Sequence, residues 1–244
     1  MVVTAIIPAY NEEISIGSIV LKTKKYVDHV IVIDDGSIDS TAEIAKDAGA
    51  EVIIHPKNKG KGGALRTGFQ AANKNGTDII VTIDADGQND PDEIPKLLAP
   101  ILSKNADMVI GSKFLNSGKK VPFPIRMGQM VLDIATNVGN HTKISDTQSG
   151  FRAFAIHTVP FFKFENNDFS IESEMINDAV SGGLNIKEVG IKEIIDIRDP
   201  KDGARVLYSI LQDMKFRKPF YYFTVGIIFY ILLMISRDWR QLQK

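Results

Sequence analysis

The chain has 244 residues, and its 29 lysines and arginines nearly balance its 30 aspartates and glutamates. This balance argues against a nucleic-acid-binding protein, which usually carries a basic excess, so no nucleic-acid partner is expected. The absence of cysteine excludes disulfides and thiolate metal sites. The length suits one large α/β domain or two small ones.

Short apolar runs alternate with helical patterns along the first half of the chain. The runs are apolar throughout, which is typical of strands buried on both faces of a parallel sheet. The first run lacks a preceding basic region and therefore indicates a strand, not a signal peptide. The β–α order predicts a doubly wound, mostly parallel α/β sheet. The predicted strands are VVTAII, HVIVIDD, AEVIIH, DIIVTID and ADMVIGS, and the predicted helices are residues 12–26, 40–48, 60–75 and 91–104.

Beyond Ser117 the pattern is less regular. Residues 126–140 and 169–180 are predicted to be helical, and SDTQSGFRAF is predicted to be a turn that leads into a short strand. LNIKEVGIKEIIDI predicts two further strands.

The C-terminal segment differs in kind, because residues 219–236 (PFYYFTVGIIFYILLMIS) contain no charge in 18 positions. As a helix this segment would span about 27 Å, close to the roughly 30 Å hydrocarbon core of a bilayer. Basic residues flank it on both sides, and aromatic residues lie near both ends, where interfacial anchors belong. We therefore predict a transmembrane helix in contact with membrane lipid; a buried helix or a dimer-forming tail is the alternative.

These patterns predict four parts of the chain: a globular domain at 1–203, an amphipathic helix at 204–218, the membrane helix at 219–236 and a basic tail at 237–244. The amphipathic helix would lie on the membrane surface or against the protein core. With no signal peptide, we expect the globular domain to face the cytoplasm at the cell membrane.

Polar residues follow the first, second and fourth predicted strands. In a doubly wound sheet the ligand site lies beyond the carboxyl ends of the strands, so these groups should converge. They are Pro8-Ala9-Tyr10-Asn11-Glu12, Asp34-Asp35-Gly36-Ser37 and Asp84-Ala85-Asp86.

Each polar group has a chemical and a structural interpretation. Carboxylates at Asp84 and Asp86 are hard oxygen ligands that suit Mg²⁺ or Mn²⁺, whereas the alternative is a solvated turn. The adjacent Asp34 and Asp35 could bind a base or ribose, or belong to a helix-capping region in which Ser37, Asp39 or Ser40 is the cap. The Gly-rich basic stretch at 55–68 could face phosphate at a helix N-terminus, or could be a flexible surface loop.

Taken in order, these motifs resemble inverting family 2 glycosyltransferases, in particular dolichyl-phosphate mannose synthases and related polyprenyl-phosphate glycosyltransferases. The resemblance covers about residues 1–200 and includes a last motif around Ser149-Gly150-Phe151-Arg152. The full set is Pro8-Ala9-Tyr10-Asn11-Glu12, Asp34-Asp35-Gly36-Ser37-x-Asp39, Asn58-x-Gly60-Lys61-Gly62, Asp84-Ala85-Asp86-x-Gln88 and Ser145-Asp146-x-x-Ser149-Gly150-Phe151-Arg152.

The resemblance implies a GT-A fold and a nucleotide-sugar donor, with GDP-mannose as the expected one. It also implies a Mg²⁺ or Mn²⁺ ion that stabilises the leaving diphosphate as a Lewis acid. The donor-side residues would be Pro8, Tyr10, Glu12, Asp35, Lys61 and Asp84, and the metal ligands would be Asp84, Asp86 and Gln88.

The implied acceptor is a dolichyl or other polyprenyl phosphate. A phosphate monoester has a second pKa near about 6, so it carries the negative charge that a hydroxyl would need a base to develop. The candidate cations for its phosphate are Lys113, Arg126, Arg152 and Arg198. The resemblance most supports Lys113 and Arg126, which with Asp86 form the expected catalytic set, whereas Arg152 has a structural ion pair as its alternative.

Two positions depart from the family pattern. Lys113 stands where relatives often carry Arg, which would replace a bidentate phosphate contact by a point charge. Residues 202–206 (DGARV) stand where many relatives have a Gly-x-Ser-Lys turn.

Two other functions remain open from sequence. A family 2 enzyme with a sugar-hydroxyl acceptor would need a general base, for which Asp146, Glu172 and Glu174 are candidates. A receiver-like signalling domain also has acidic residues after a strand, but it needs about half this length. It would leave the DADGQ and SDTQSGFR segments unexplained.

Overall fold

A single mixed sheet forms the centre of the computed structural model, which describes residues 1–115, 144–165 and 171–192. Seven strands in this part of the chain lie in the order β3-β2-β1-β4-β6-β5-β7. They are β1 (Val3–Ala9), β2 (His29–Asp34), β3 (Glu51–Ile54), β4 (Ile79–Thr82), β5 (Met108–Ser112), β6 (Arg152–Ala155) and β7 (Ile186–Gly190).

Helices connect the strands and cover both faces of the sheet. They are α1 (Ile16–Thr23), α2 (Thr41–Asp47), α3 (Gly60–Lys74), α4 (Ile94–Leu102) and α5 (Ile171–Ser181), with short 3₁₀ helices at Pro91–Glu93 and Ile156–Phe161. One apolar core contains side chains of α1, α2 and α4, and the other contains side chains of α3 and α5.

The pairing is mostly parallel, as the sequence predicts. β1 pairs in parallel with β2 and β4, β2 with β3, and β5 with β7. β6 enters between β4 and β5 and is antiparallel to both. Because β2, β1 and β4 are parallel neighbours, their carboxyl ends meet at one edge of the sheet.

Burial on both faces explains why the central strands β1, β2 and β4 are mostly apolar. In β1, Ala5 and Ile7 contribute to one core while Ile6 contributes to the other, because successive side chains of a strand point to opposite faces. On the second face, Gly68 of α3 packs directly on Ile6, so that a β-carbon there would collide with the isoleucine. Burial of Phe69 in the same core contributes about 1.5–3 kcal/mol to stability.

Two predicted helices begin later than their sequence patterns suggest. The helix predicted from residue 12 begins at Ile16, because residues before it form a turn in which Asn11 has a φ of 57°. The helix predicted from residue 91 begins as a 3₁₀ turn, and the side chain of Asp90 accepts a hydrogen bond from the Asp92 amide. Only then does α4 start, at Ile94.

Several predictions fall outside the described residues. They concern the helix at 126–140, the second strand of the 184–197 stretch, the boundary at 203 and the C-terminal segments 204–218, 219–236 and 237–244. Within the described ranges no helix has the length and apolar character needed to cross a membrane.

Candidate active site

The loops that follow β1 and β2 interlock at the carboxyl edge of the sheet. The Asn11 amide donates to Ser37 Oγ (2.9 Å), and Asn11 Oδ1 accepts from the Ile38 amide (3.0 Å). The Glu12 amide donates to Thr41 Oγ1 (2.8 Å) at the start of α2. Asparagine tolerates the left-handed conformation that this arrangement requires of residue 11. These bonds bring the first two predicted motifs together.

In the second motif, Asp34 holds the loop that follows β2. Asp34 is 2% exposed, and its Oδ1 accepts hydrogen bonds from both the amide and the hydroxyl of Ser37. Asp39 Oδ1 accepts from the Thr41 amide (3.0 Å), the first amide of α2. Asp39 lies one residue before the N-cap, Ser40, whose own side chain makes no capping hydrogen bond.

The Asp35 carboxylate, predicted to contact the nucleoside, is bound within the protein. Its oxygens accept from the amides of Lys59 (2.9 Å) and Gly60 (2.8 Å), at the N-terminus of α3. A carboxylate is favourable at a helix N-terminus, where amides are unpaired. His55 Nδ1 lies 2.6 Å from Asp35 Oδ1, and His55 Nε2 lies 2.9 Å from Thr67 Oγ1.

The other predicted nucleoside residues lie at the end of β1: Pro8 is within the strand, and Tyr10 and Glu12 follow it. Pro8 has no amide hydrogen to donate to a neighbouring strand. This costs no hydrogen bond to β4, because the β1–β4 pairing already ends at Ile6. Tyr10 is 46% exposed at this edge. Glu12 is half-buried; burial raises its pKa, and the negative charges of Asp86, Asp39 and Asp84 add to the increase against the opposing hydrogen bond from Ser15.

The predicted metal ligands lie on the turn after β4. Asp86 Oδ1 accepts from the Gln88 amide (2.9 Å), and Gly87 has a φ of 80°. Asp84 Oδ1 lies 2.6 Å from Lys61 Nζ. Within the described ranges no cluster of three His, Asp or Glu side chains is arranged to hold a metal ion. Two carboxylates nevertheless fit the chemistry of Mg²⁺, which is often bound by one or two carboxylates together with substrate phosphates.

Gly150 allows the Ser145–Arg152 loop to approach the Asp84 carboxylate. A β-carbon at residue 150 would collide with Asp84 Oδ2 and would lie 2.8 Å from Lys61 Nζ. Thr82 Oγ1 fixes the contact by donating to the Gly150 carbonyl (2.8 Å). The third and fifth motifs therefore meet the fourth at Asp84.

Lys61 lies between two carboxylates and not in an open phosphate loop. Its Nζ is 2.6 Å from Asp84 and 2.7 Å from Glu172 Oε1, and its side chain is 16% exposed. Burial alone would lower the pKa of Lys61, but the charges of Asp84 and Glu172 outweigh burial and raise it. The ammonium is therefore firmly protonated.

Arg152 is 1% exposed, which bears on its predicted role at the acceptor phosphate. All three of its donor nitrogens bind backbone carbonyls: Nε that of Ser149 (2.7 Å), Nη1 that of Glu172 (2.9 Å) and Nη2 that of Thr147 (2.8 Å). Burial lowers the pKa of Arg152, while Glu172, Asp146 and Asp84 oppose the decrease. These contacts support the structural alternative, because the guanidinium is directed at backbone carbonyls that join the loop to α5.

Lys113, the other described acceptor candidate, follows β5 beside the same loop. Its amide donates to Asp146 Oδ2 (3.4 Å), and its Nζ lies 5.7 Å from the ring centroid of Phe114. The remaining candidates, Arg126 and Arg198, lie outside the described residues.

Glu188 on β7 organises the loop that carries Asp146. Its carboxylate accepts from the Ser145 amide (2.9 Å), Ser145 Oγ (2.9 Å) and the Asp146 amide (3.1 Å). Sequence reasoning missed Glu188 because a charged residue in a strand next to Lys187 looks like part of a solvated face. It missed His55 and Thr67 because nothing in their spacing links them to Asp35.

The three candidate general bases are all engaged in internal contacts. Asp146 is 2% exposed, and Glu172 is paired with Lys61. Glu174 Oε1 accepts from the Glu165 amide (2.7 Å). The arrangement around them holds a loop and a helix in place beside Asp84.

Comparison with known proteins gives a consistent family. The model described as "Glycosyl transferase family 2" matches residues 4–165. A UDP-N-acetylglucosamine–dolichyl-phosphate N-acetylglucosaminyltransferase of Methanococcus voltae is 36% identical over 225 residues, which cover 83% of this chain and 89% of that protein. An undecaprenyl-phosphate mannosyltransferase of Micrococcus luteus is 30% identical over 203 residues, covering 78% and 83%.

Among solved structures, the chain is similar to glucosyl-3-phosphoglycerate synthase from Mycobacterium tuberculosis in complex with Mn²⁺ and UDP-glucose. The TM-score is 0.69 at 22% identity, with 88% of this chain and 78% of that chain covered. At this identity the likeness shows the fold.

Proposed function

The chain belongs to glycosyl transferase family 2, and from this premise we propose that it transfers a hexosyl group from a nucleotide sugar to a polyprenyl phosphate. The observation that carries the proposal is the meeting of Asp84, Asp86 and Glu12 at the carboxyl edge of the sheet, next to the loop of Ser145–Arg152. Two relatives that match most of the chain have names that specify dolichyl phosphate or undecaprenyl phosphate.

On the donor side, Asp84, Asp86 and Gln88 would hold Mg²⁺ or Mn²⁺ with the donor diphosphate. The raised pKa of the Glu12 carboxyl reports, besides burial, the negative charge at this edge, which favours a cation there. When bound, the ion would act as a Lewis acid and stabilise the charge on the leaving nucleoside diphosphate. Tyr10, exposed at the same edge, is available to the nucleoside, and Pro8 and Glu12 flank it.

There are two candidates for the nucleotide-sugar donor. GDP-mannose follows from the motif resemblance, and the name of the Micrococcus luteus relative specifies a mannosyltransferase. UDP-N-acetylglucosamine is a second candidate because the 36% identical Methanococcus voltae relative bears that donor in its name. Both donors present a diphosphate, so the proposed metal site serves either.

On the acceptor side, the nucleophile would be a phosphate oxygen of the lipid. The phosphate is already anionic at neutral pH and needs no general base. Glu172 and Glu174 are committed to internal contacts, which favours this acceptor over a sugar hydroxyl. Lys113 and Arg126 would hold the phosphate in line with the anomeric carbon, so an α-linked donor sugar would give a β-linked product.

A polyprenyl-phosphate acceptor would require the chain to work at a membrane that contains this lipid. Residues 219–236 would anchor it there, with the catalytic domain facing the cytoplasm. Residues 204–218 would lie on the membrane surface.

The test is to incubate membranes containing the full chain with a panel of labelled nucleotide sugars and to identify the labelled lipid. Turnover should require Mg²⁺ or Mn²⁺, and Asp86→Ala should abolish it, whereas the matched Asp47→Ala on the exposed end of α2 should retain it. Full activity of Asp86→Ala in chelator would overturn the metal assignment.

A second variant tests the acceptor side. Arg126→Ala should impair use of lipid phosphate far more than donor binding. A parallel loss of both, or an α-linked product, would contradict the acceptor mechanism.

A further inference from the structure

Lys61 is shared by two carboxylates that cannot both be neutralised by one ammonium. Its Nζ lies 2.6 Å from Asp84 Oδ1 and 2.7 Å from Glu172 Oε1. Glu172 is the more buried acid, since its side chain is 4% exposed against 26% for Asp84. If Lys61 Nζ moves closer to one carboxylate, its attraction to the other carboxylate weakens.

Glu172 depends on Lys61 to an unusual degree. In the part of the chain that the structure describes, Lys61 is the ion-pair partner of the buried Glu172 carboxylate, and the charge of Arg152 adds a weaker attraction. A buried carboxylate is costly unless it is paired, so the attraction between Glu172 and the ammonium is strong. The position of Glu172 is fixed, because Arg152 Nη1 donates to its carbonyl at the start of α5.

The Asp84 carboxylate is shared in a different way. Its Oδ1 contacts Lys61, while its Oδ2 approaches Gly150, where only the absence of a side chain leaves space. A divalent ion that binds Asp84 has to share this carboxylate with the ammonium of Lys61. An ammonium and a divalent ion that contact the same carboxylate would repel each other, so the position of Lys61 would affect the affinity for the ion.

We propose that Lys61 and Glu172 form a positioning pair that sets the divalent-ion affinity of Asp84. Lys61 is the resident counter-ion of Asp84 and competes with the divalent ion, and Glu172 limits this competition by drawing the ammonium towards α5. Glu172 thus acts on the ion through Lys61 and not as a ligand. The proposal rests on the proposed function only in that Asp84 binds the ion.

The test measures Mn²⁺ binding without donor, from the electron paramagnetic resonance signal of free Mn²⁺, on the full chain in detergent. Lys61→Met should lower the Kd about tenfold, because one unit of competing charge is removed from contact with Asp84. Glu172→Gln should raise the Kd, since Lys61 then pairs with Asp84 alone. Glu174→Gln, the same change on the same helix without the Lys61 contact, should leave it within about twofold, as expected for a screened charge.

The double variant separates action through Lys61 from a direct charge effect. In the Lys61→Met background, Glu172→Gln should no longer weaken Mn²⁺ binding. If Lys61→Met leaves Glu172 uncompensated and does not fold, the double variant, which lacks both charges, is compared with Glu172→Gln and should bind Mn²⁺ more tightly.

Two kinds of result would overturn the proposal, and they are distinguishable: a failure of the positioning role alone, and a failure of the metal site itself. Equal weakening by Glu172→Gln in both backgrounds, or equal affinities of the double variant and Glu172→Gln, would refute the positioning role while leaving the metal site intact. Failure of the unsubstituted chain to bind Mn²⁺ with or without nucleoside diphosphate would refute both the positioning role and the metal site.

Discussion

His55 Nδ1 lies 2.6 Å from Asp35 Oδ1, and both side chains are almost completely buried. His55 directly follows β3 and Asp35 directly follows β2, so the pair joins the ends of two neighbouring strands. Through Asp35 the pair also holds the amides of Lys59 and Gly60 at the start of α3. The approach of Lys61 to Asp84 depends on this helix N-terminus being fixed.

We expect His55→Ala to destabilise the protein by about 1–3 kcal/mol, because it leaves a buried carboxylate without one of its partners. The Michaelis constant for the donor should rise, since Lys59–Lys61 lose part of their support. Thermal unfolding and donor kinetics measure the two effects. The control is His157→Ala, which removes an exposed pair with Asp107 that is worth about 0–1 kcal/mol; similar losses in both variants would contradict the role of the buried pair.

Arg152→Met should destabilise the fold by about 3–5 kcal/mol, because it removes the guanidinium from three carbonyls and from nearby buried carboxylates. Arg152→Lys should not restore stability, since an ammonium cannot reproduce the planar fork. Melting temperature measures both, with the exposed Arg66→Met on α3 as control. A stable Arg152→Lys that specifically loses lipid-phosphate use would instead favour the acceptor role.

The sheet could be predicted from sequence because burial on both faces leaves a strong pattern. β1, β2 and β4 are apolar between their ends apart from Thr4, and the rule for parallel sheets then places Glu12, Asp35 and Asp84 at one edge. The antiparallel direction of β6 could not be read from its four residues, because a short apolar strand carries no mark of its direction.

The roles of individual polar residues were less accessible, because they depend on contacts between segments distant in sequence. Asp35 and Arg152 belong to motifs that suggest ligand binding, yet in the fold their charges hold α3 and the Ser145–Arg152 loop. Glu172 could be named as a candidate base from its residue type. Its partner Lys61 lies 111 positions earlier in the chain (172 − 61), and no sequence pattern near either residue indicates that they pair.

Truncation after Lys215 should release the chain from membranes, because it removes the uncharged segment 219–236. Fractionation of cells that express the full and truncated chains measures the effect. In the full chain, Ile228→Arg should weaken membrane association, since arginine at the centre of a spanning helix costs about 2.5–3.5 kcal/mol. A full chain that is soluble and monomeric without detergent would disprove the anchor.

The Glu12 carboxyl should make stability depend on pH. Burial, and next the charges of Asp86, Asp39 and Asp84, raise its folded-state pKa above the usual value. A raised carboxyl pKa stabilises the fold below the unfolded pKa and loses this contribution as pH rises through the folded pKa. At neutral pH in chelator, Glu12→Gln should therefore raise the melting temperature, and the gain should shrink towards the acid side. A gain that persists unchanged at acid pH would point to packing and not to charge.

Glu188→Gln should impair the acceptor half of the reaction while donor binding is retained. The carboxylate accepts the amides of Ser145 and Asp146 and the hydroxyl of Ser145, and an amide side chain would place a donor group against one of them. Hydrogen bonds to a charged group contribute about 1.5–3 kcal/mol each, so the loop next to Lys113 should lose its fixed position. We expect kcat to fall with lipid phosphate while the Kd for the nucleotide stays close to that of the exposed control Glu43→Gln. Calorimetry and single-turnover transfer measure the two quantities, and a matching loss of nucleotide affinity would show that Glu188 supports the whole site and not the acceptor side.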